Sequence, residues 1–383
     1  MNTKVLFVDD EPNVLQSYQR SLRKEFPLEV AGGGAEALER ISADGPYAVV
    51  VSDMRMPGMS GLELLSEIKS RTPDTVRIML TGNNDQQTAV DAVNEGDVFR
   101  FLSKPCSTES LVKAVNDAFE HHKLVTMERH LLENTLHGSI RALAQVLALV
   151  NPVAFGRTER LERIVSAVGK TMGYAEMWKL ESLALLSQIG CVILPEAVIK
   201  KIATAHPLTD EESDLYSRHP SIGSDLISQI PRMEEIAQSI LYQEKNFDGS
   251  GLPRDSVKGE QIPFGARILR VILDYDKCLI NERSSSQALA ELRLQPGRYD
   301  PAVVEALEQT TRAEVEVRST MLHIQVLKEG MIFAADVHTR VGLLVVCKGQ
   351  VATPSVLRRL STIYDNDALG DSPNVLVYET VKK

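Results

Sequence analysis

The sequence predicts a multidomain chain: an α/β domain with a parallel sheet, then an all-α domain, then a small β-rich unit. Three observations carry this. Short Val/Ile/Leu runs alternate with helical patterns over the first 120 or so residues; helix signals with few strand signals fill the middle; β-type runs return near the end. At 383 residues the chain is also long enough for two or three cores, since single domains rarely grow far beyond about 250 residues.

The runs KVLFV, LEVA, YAVVVS, RIML and FRFLS are the five strand candidates, with helical segments between them around Leu15–Leu22, Ala35–Ile41, Leu62–Ile68 and Ala89–Val93. Continuous apolar runs suit strands buried on both faces of a parallel sheet, whose ligands sit at the strands' carboxyl ends. The residues closing the strands form a set: Asp9 and Asp10, Asp53, Thr81, and Lys104 before Pro105. Three converging carboxylates repel one another unless a cation lies among them. Mg²⁺ suits, because it takes hard oxygen ligands and leaves room for a phosphate. Asp53 is then the nucleophile toward a phosphoryl group, with Lys104 and Thr81 contacting the equatorial oxygens. The plainer readings are a helix N-cap for Asp10 and a turn aspartate for Asp53.

VLFVDDEPN, VVVSDMRMPGMSG, IMLTG and FLSKP together resemble CheY-like receiver domains, flavodoxin-like in fold, over about 120 residues in the right order. The resemblance implies Asp53 as phosphoacceptor, Asp10 as direct Mg²⁺ ligand, Asp9 acting through water and the Arg55 carbonyl as a further ligand. It also makes Phe101 the aromatic whose rotamer follows phosphorylation, and a sensor histidine kinase the phosphoryl donor.

From Leu111 to Val150, twelve positions recur at alternating spacings of four and three, interrupted by His122, Arg129 and Ser139. This heptad seam predicts a coiled coil and a homodimer; a helix packed on its own domain is the alternative, with Gly138 as a break. The expected parts are a receiver over 1–123, a connecting helix over 107–150, a helical domain over 151–312 and a β-rich appendage over 313–383.

In the helical part, Thr209–Glu212 is a capping box, Pro220 marks a helix start and FDGSGLP is a glycine-rich loop. Their order resembles the HD-GYP family, which hydrolyses cyclic di-GMP at a site with two or three metal ions. The motif positions fall here on Thr158, on Ser187 and Gln188, on His219, on Tyr242 and Gln243 with Glu244 kept, and on Leu273 or Asp274. Such centres need about three protein ligands per ion. Too few imidazoles and carboxylates remain, so the expectation is no metal in this domain and no phosphodiesterase activity. The alternative is hydrolysis at a residual site of His219, Glu244 and Asp274. His219 otherwise reads as a helix-start or core histidine. Lys201 and Arg283 match family phosphate contacts, with solvated charge as the plainer account.

The last segment carries turns at Glu329-Gly330 and Lys348-Gly349 and a helix opened by Thr353-Pro354. It resembles an appendage of some receiver/HD-GYP proteins. With 52 acidic against 42 basic residues and a net charge of −10, the chain repels nucleic acid, and no DNA partner is expected. No apolar run reaches the roughly 20 residues of a membrane span. Four widely spaced cysteines and an N-terminus without an export signal suit the cytoplasm. The functional expectation is a phosphorylation-switched regulator in cyclic di-GMP-related signalling that acts on a downstream signalling protein.

Overall fold

Strand β1 (Val5–Val8) is buried along its whole length, and its side chains divide between two apolar clusters. Val5 and Phe7 join Val49, Val51 and Ile78; Leu6 and Val8 join Val50, Leu64 and Met79. Because strand side chains alternate faces, a run that is apolar at every position needs cover on both. Helices supply that cover: α1 (Pro12–Leu22) follows β1, α2 (Gly34–Asp44) follows β2 (Leu28–Ala31), and α3 (Gly61–Arg71) follows β3 (Val49–Asp53). With β4 (Val76–Thr81) and β5 (Arg100–Ser103) they complete a parallel sheet in the order β2-β1-β3-β4-β5. Ser60 and Glu63 close a reciprocal capping box at the start of α3.

This computed structural model describes residues 4–82, 98–203, 206–281, 283–313, 319–366, 369 and 374–378. The helix expected around Ala89–Val93 lies outside them. The chain divides into two units, Met1–Glu133 and Asn134–Lys383.

Helix α4 (Thr108–Val150) runs unbroken through Gly138. Its first turns bury Leu111, Val115 and Ala118 in the receiver-type core, on the expected seam. In the second unit the buried positions are Ile140, Ala144 and Ala148, while the seam residues Leu143, Val146 and Val150 are exposed. A straight helix drifts about 20° per heptad from a strict 3.5-residue repeat. Over four heptads that amounts to about one residue, so a strict heptad seam does not stay on one face of such a helix.

The second unit packs α6 (Thr158–Thr171) and α7 (Met177–Leu186) against α11 (Glu234–Leu241), α12 (Phe264–Ile280) and α14 (Pro301–Ala313), with α5 (Pro152–Phe155), α8 (Glu196–Ala203), α9 (Asp210–Ser217), α10 (His219–Ile227) and α13 (Ser285–Arg293) completing the helices. Leu161, Val165, Leu183, Ile240, Ile268 and Leu307 are among the residues of their common core. The Thr209–Glu212 capping box starts α9, and Pro220 lies in the first turn of α10. The glycine-rich loop is a structural clamp: buried Lys245 holds the Pro253 carbonyl at 2.7 Å and the Asp255 carboxylate at 3.0 Å. Gly251 there has φ +88° and sits against the Glu244 carbonyl, a position only glycine tolerates.

The C-terminal residues form two antiparallel pairs, β6 (Ser319–His323) with β9 (Asn374–Tyr378) and β7 (Val337–His338) with β8 (Leu344–Val346), around α15 (Pro354–Asp365). They are bound to the helices through backbone groups: Arg163 donates to the Gly349 carbonyl at 2.8 Å and Arg359 to the Leu149 carbonyl at 2.7 Å. No helix among the described residues is long and apolar enough to cross a membrane.

Gly190 lets the 3₁₀ turn Ile189–Ile193 meet α10 backbone to backbone, since a Cβ there would run into the His219 carbonyl. Gly190→Ala is expected to cost about 2 kcal/mol or more of stability. Thermal unfolding within 1 °C of wild type would contradict this packing.

Candidate functional site

At the carboxyl edge of the parallel sheet, Lys104 reaches across from the end of β5 to two acids. Its ammonium lies 2.8 Å from Asp9 Oδ2 and 2.5 Å from Asp53 Oδ1. Burial works against the charged amine, but hydrogen bonds to Asp53 and Asp9 outweigh it and hold the lysine above its ordinary pKa. The remaining oxygens are also used: Asp9 Oδ1 accepts from the Glu11 N–H, and Asp53 Oδ2 from the Arg55 N–H, both at 2.9 Å. Asp10 stands exposed beside them. Thr81 is fully buried and donates to the Gly82 carbonyl at 3.1 Å; Phe101 is half-buried against the Leu6 cluster. Tyr18, which sequence reasoning passed over, stacks tilted on Phe7 at 5.0 Å and feels Lys104, Asp9 and Asp53.

A second constellation lies in the helical unit. Arg157, at the N-cap of α6, donates to Gln188 at 2.7 Å and lies 3.9 Å from the fully buried Asp276. Arg160 pairs with the same aspartate at 2.5 Å. With Arg163 and Arg283 these arginines line a cavity of about 1230 Å³ that reaches Cys347 and Lys348 of the C-terminal residues. The signal for them was the R-x-x-R-x-x-R spacing of residues 157–163, which places three guanidiniums on one helix face.

The positions singled out from the helical motif are spread among local partners. Thr158 and Ser187 turn their hydroxyls onto the Phe155 and Ala184 carbonyls. His219 Nδ1 meets the Tyr216 carbonyl at 2.6 Å, and its Nε2 lies 3.3 Å from Gln243 Nε2. Tyr242 donates to Asp255, and Glu244 is paired with Arg270 at 3.0 Å. Asp274 accepts from Arg298 at 2.8 Å and Tyr299 at 2.7 Å, while Leu273 is buried. Lys201 pairs with Glu212 at 2.7 Å. This set does not fit a cluster of divalent ions: its acids are matched by guanidiniums and its histidine is engaged at both nitrogens.

Family comparison agrees with the two-part architecture. Residues 5–116 match the response regulator receiver domain and residues 141–303 match the HD domain. The chain is a response regulator that joins a receiver to an HD domain. A protein of Thermotoga maritima named cyclic di-GMP phosphodiesterase is 27% identical over 79% of this chain and 89% of its own. The cyclic di-GMP phosphodiesterase response regulator RpfG of Xanthomonas campestris is 28% identical over 82% and 89%. The solved signal receiver domain of an HD domain-containing protein from Pseudomonas fluorescens is 34% identical, covering 32% of this chain and 98% of that one, with a TM-score of 0.30. The two phosphodiesterase relatives overturn the expectation that the helical domain has no enzymatic role. The expectation that this domain holds no metal is likewise unsupported: its residues match the HD domain, and two of its glutamates, Glu162 and Glu181, form a His/Glu cluster of metal-ligand type with His137 of the connecting helix.

Burial pushes the His219 imidazole down to about 4, outweighing the bond to the Tyr216 carbonyl. As pH falls from about 6.5 toward 4, the unfolded chain takes up a proton that the folded ring refuses, so stability is lost across that window. The loss is ~3 kcal/mol at most. Urea unfolding at pH 7 and 4.5 should show a smaller acid loss in His219→Gln; equal losses would contradict the assignment.

Proposed function

We propose that this chain is a phosphorylation-controlled response regulator whose helical domain acts on cyclic di-GMP as a phosphodiesterase. The observation that supports it best is the alignment with two proteins of that name over 89% of their lengths. The cavity adds chemistry, since arginine guanidiniums suit the phosphates of a cyclic dinucleotide. The residues at the motif positions, with Glu244 and Asp274 held by arginines and His219 engaged at both nitrogens, do not fit metal ions.

In the receiver, Asp53 is the phosphoacceptor: its oxygen bonds to phosphorus as the bond to the donor, a phosphorylated kinase histidine, breaks. Hard oxygen donors at Asp9, Asp10 and Asp53, with the Arg55 carbonyl, fit Mg²⁺, which when bound neutralises charge on the phosphoryl oxygens. Lys104 already bridges Asp9 and Asp53; it turns its charge to the incoming group, Thr81 supplies a hydroxyl, and Phe101 is the side chain expected to follow the change. The exposed Leu143, Val146 and Val150 of α4 suit pairing with a second copy.

With a small phosphodonor and Mg²⁺, wild type should be retarded on a phosphate-affinity gel and Asp53→Asn should not. Equal retardation in both rejects Asp53. Incubation of the full chain with cyclic di-GMP and divalent metal should release linear product, with kcat/KM falling about tenfold or more in Arg157→Ala. Absence of turnover would remove the phosphodiesterase reading, whether or not the dinucleotide binds.

A further inference from the structure

Three helices of the second unit bring a histidine and two glutamates to one place outside the positions discussed above. His137 comes from α4, Glu162 from α6 and Glu181 from α7, with one ligand atom of each lying within 4.8 Å of the others. All three are largely shielded, their side chains exposed by 18%, 10% and 22%. We propose that His137, Glu162 and Glu181 bind one divalent transition-metal ion of the Zn²⁺ or Mn²⁺ type.

Four features support this. One imidazole and two carboxylates are the donor count and type that such ions take from a protein when a water completes the shell. His137 Nδ1 is held 3.0 Å from the Ser182 hydroxyl, leaving Nε2 turned to Glu181 at 3.5 Å. Glu181 is itself oriented, its other oxygen accepting from Ser166 at 2.9 Å. Such outer partners fix ring and carboxylate orientation at metal sites. Finally, the helices are locked by shared packing of Ile140, Ala144, Leu161, Val165, Leu180 and Leu183, so the donors are held together before any ion arrives.

Arg141, one turn beyond His137 on α4, now pairs with Glu162. Its side chain is half exposed, so it can swing into water and yield the carboxylate to a metal. The ion would tie the second half of α4, whose first turns belong to the receiver core, to the HD-domain helices. Metal loading would thus set how firmly that helix is held at its downstream end. This inference concerns binding and stands whether or not cyclic di-GMP is hydrolysed.

The test is calorimetric titration of chelator-stripped full-length protein with Zn²⁺ and with Mn²⁺, in excess Mg²⁺ and in an Asp53→Asn background to mask the receiver acids. One ion per chain is expected, weakened about tenfold or more by His137→Gln and by Glu181→Gln. Arg141→Ala should tighten binding by removing the competing guanidinium. Visible absorption of the Co²⁺ form, lost in His137→Gln, reports the imidazole directly, and circular dichroism confirms that each variant folds. No ion bound by wild type, or equal affinity in wild type and both ligand variants, overturns the site.

Discussion

The Lys104 ammonium, shared between Asp9 and Asp53, is the contact on which the receiver half depends. Both aspartates lie at the closed end of a sheet that is apolar on either face, where an unmatched carboxylate costs several kcal/mol in lost hydration. One cation holds two acids close together, and the backbone N–H groups of Glu11 and Arg55 fix their outer oxygens. The cluster is therefore both stable and poised, because a lysine shared between two acids faces whatever charge arrives next.

The helical half obeys the same requirement with different means. Asp276 is sealed from water against Arg160 and Arg157, while the partly exposed Glu244 pairs with Arg270. Arg157 and Arg160, with Arg163 and Arg283, line the large cavity. Arginines also take up the acids at the motif positions that a metal cluster would need, Arg270 pairing with Glu244 and both Arg270 and Arg298 with Asp274. The His137, Glu162 and Glu181 group differs in kind: its two carboxylates meet an imidazole and an arginine able to leave.

How legible each half was follows from how each site is written in the chain. The receiver residues close consecutive strands, so topology alone brings Asp9, Asp53, Thr81 and Lys104 to one edge. The five strands and the capping box at Thr209 were readable for the same local reason. Arg157 and Arg160 escaped notice because their partners, Gln188 and Asp276, are 31 and 116 residues or more away. His137 was hidden by the heptad reading of α4, which concerned the apolar positions around it.

By itself the sequence determined the α/β sheet, the helical domain after it, the long helix between them and the acids at the strand ends. Those follow from local periodicity, capping and strand order, which need no knowledge of distant neighbours. Only the tertiary structure decided which charges pair, because ion pairing at 3 Å is set by helix packing and not by spacing along the chain. It alone showed that arginines occupy the family's motif region, and that a histidine from the connecting helix meets two glutamates from α6 and α7.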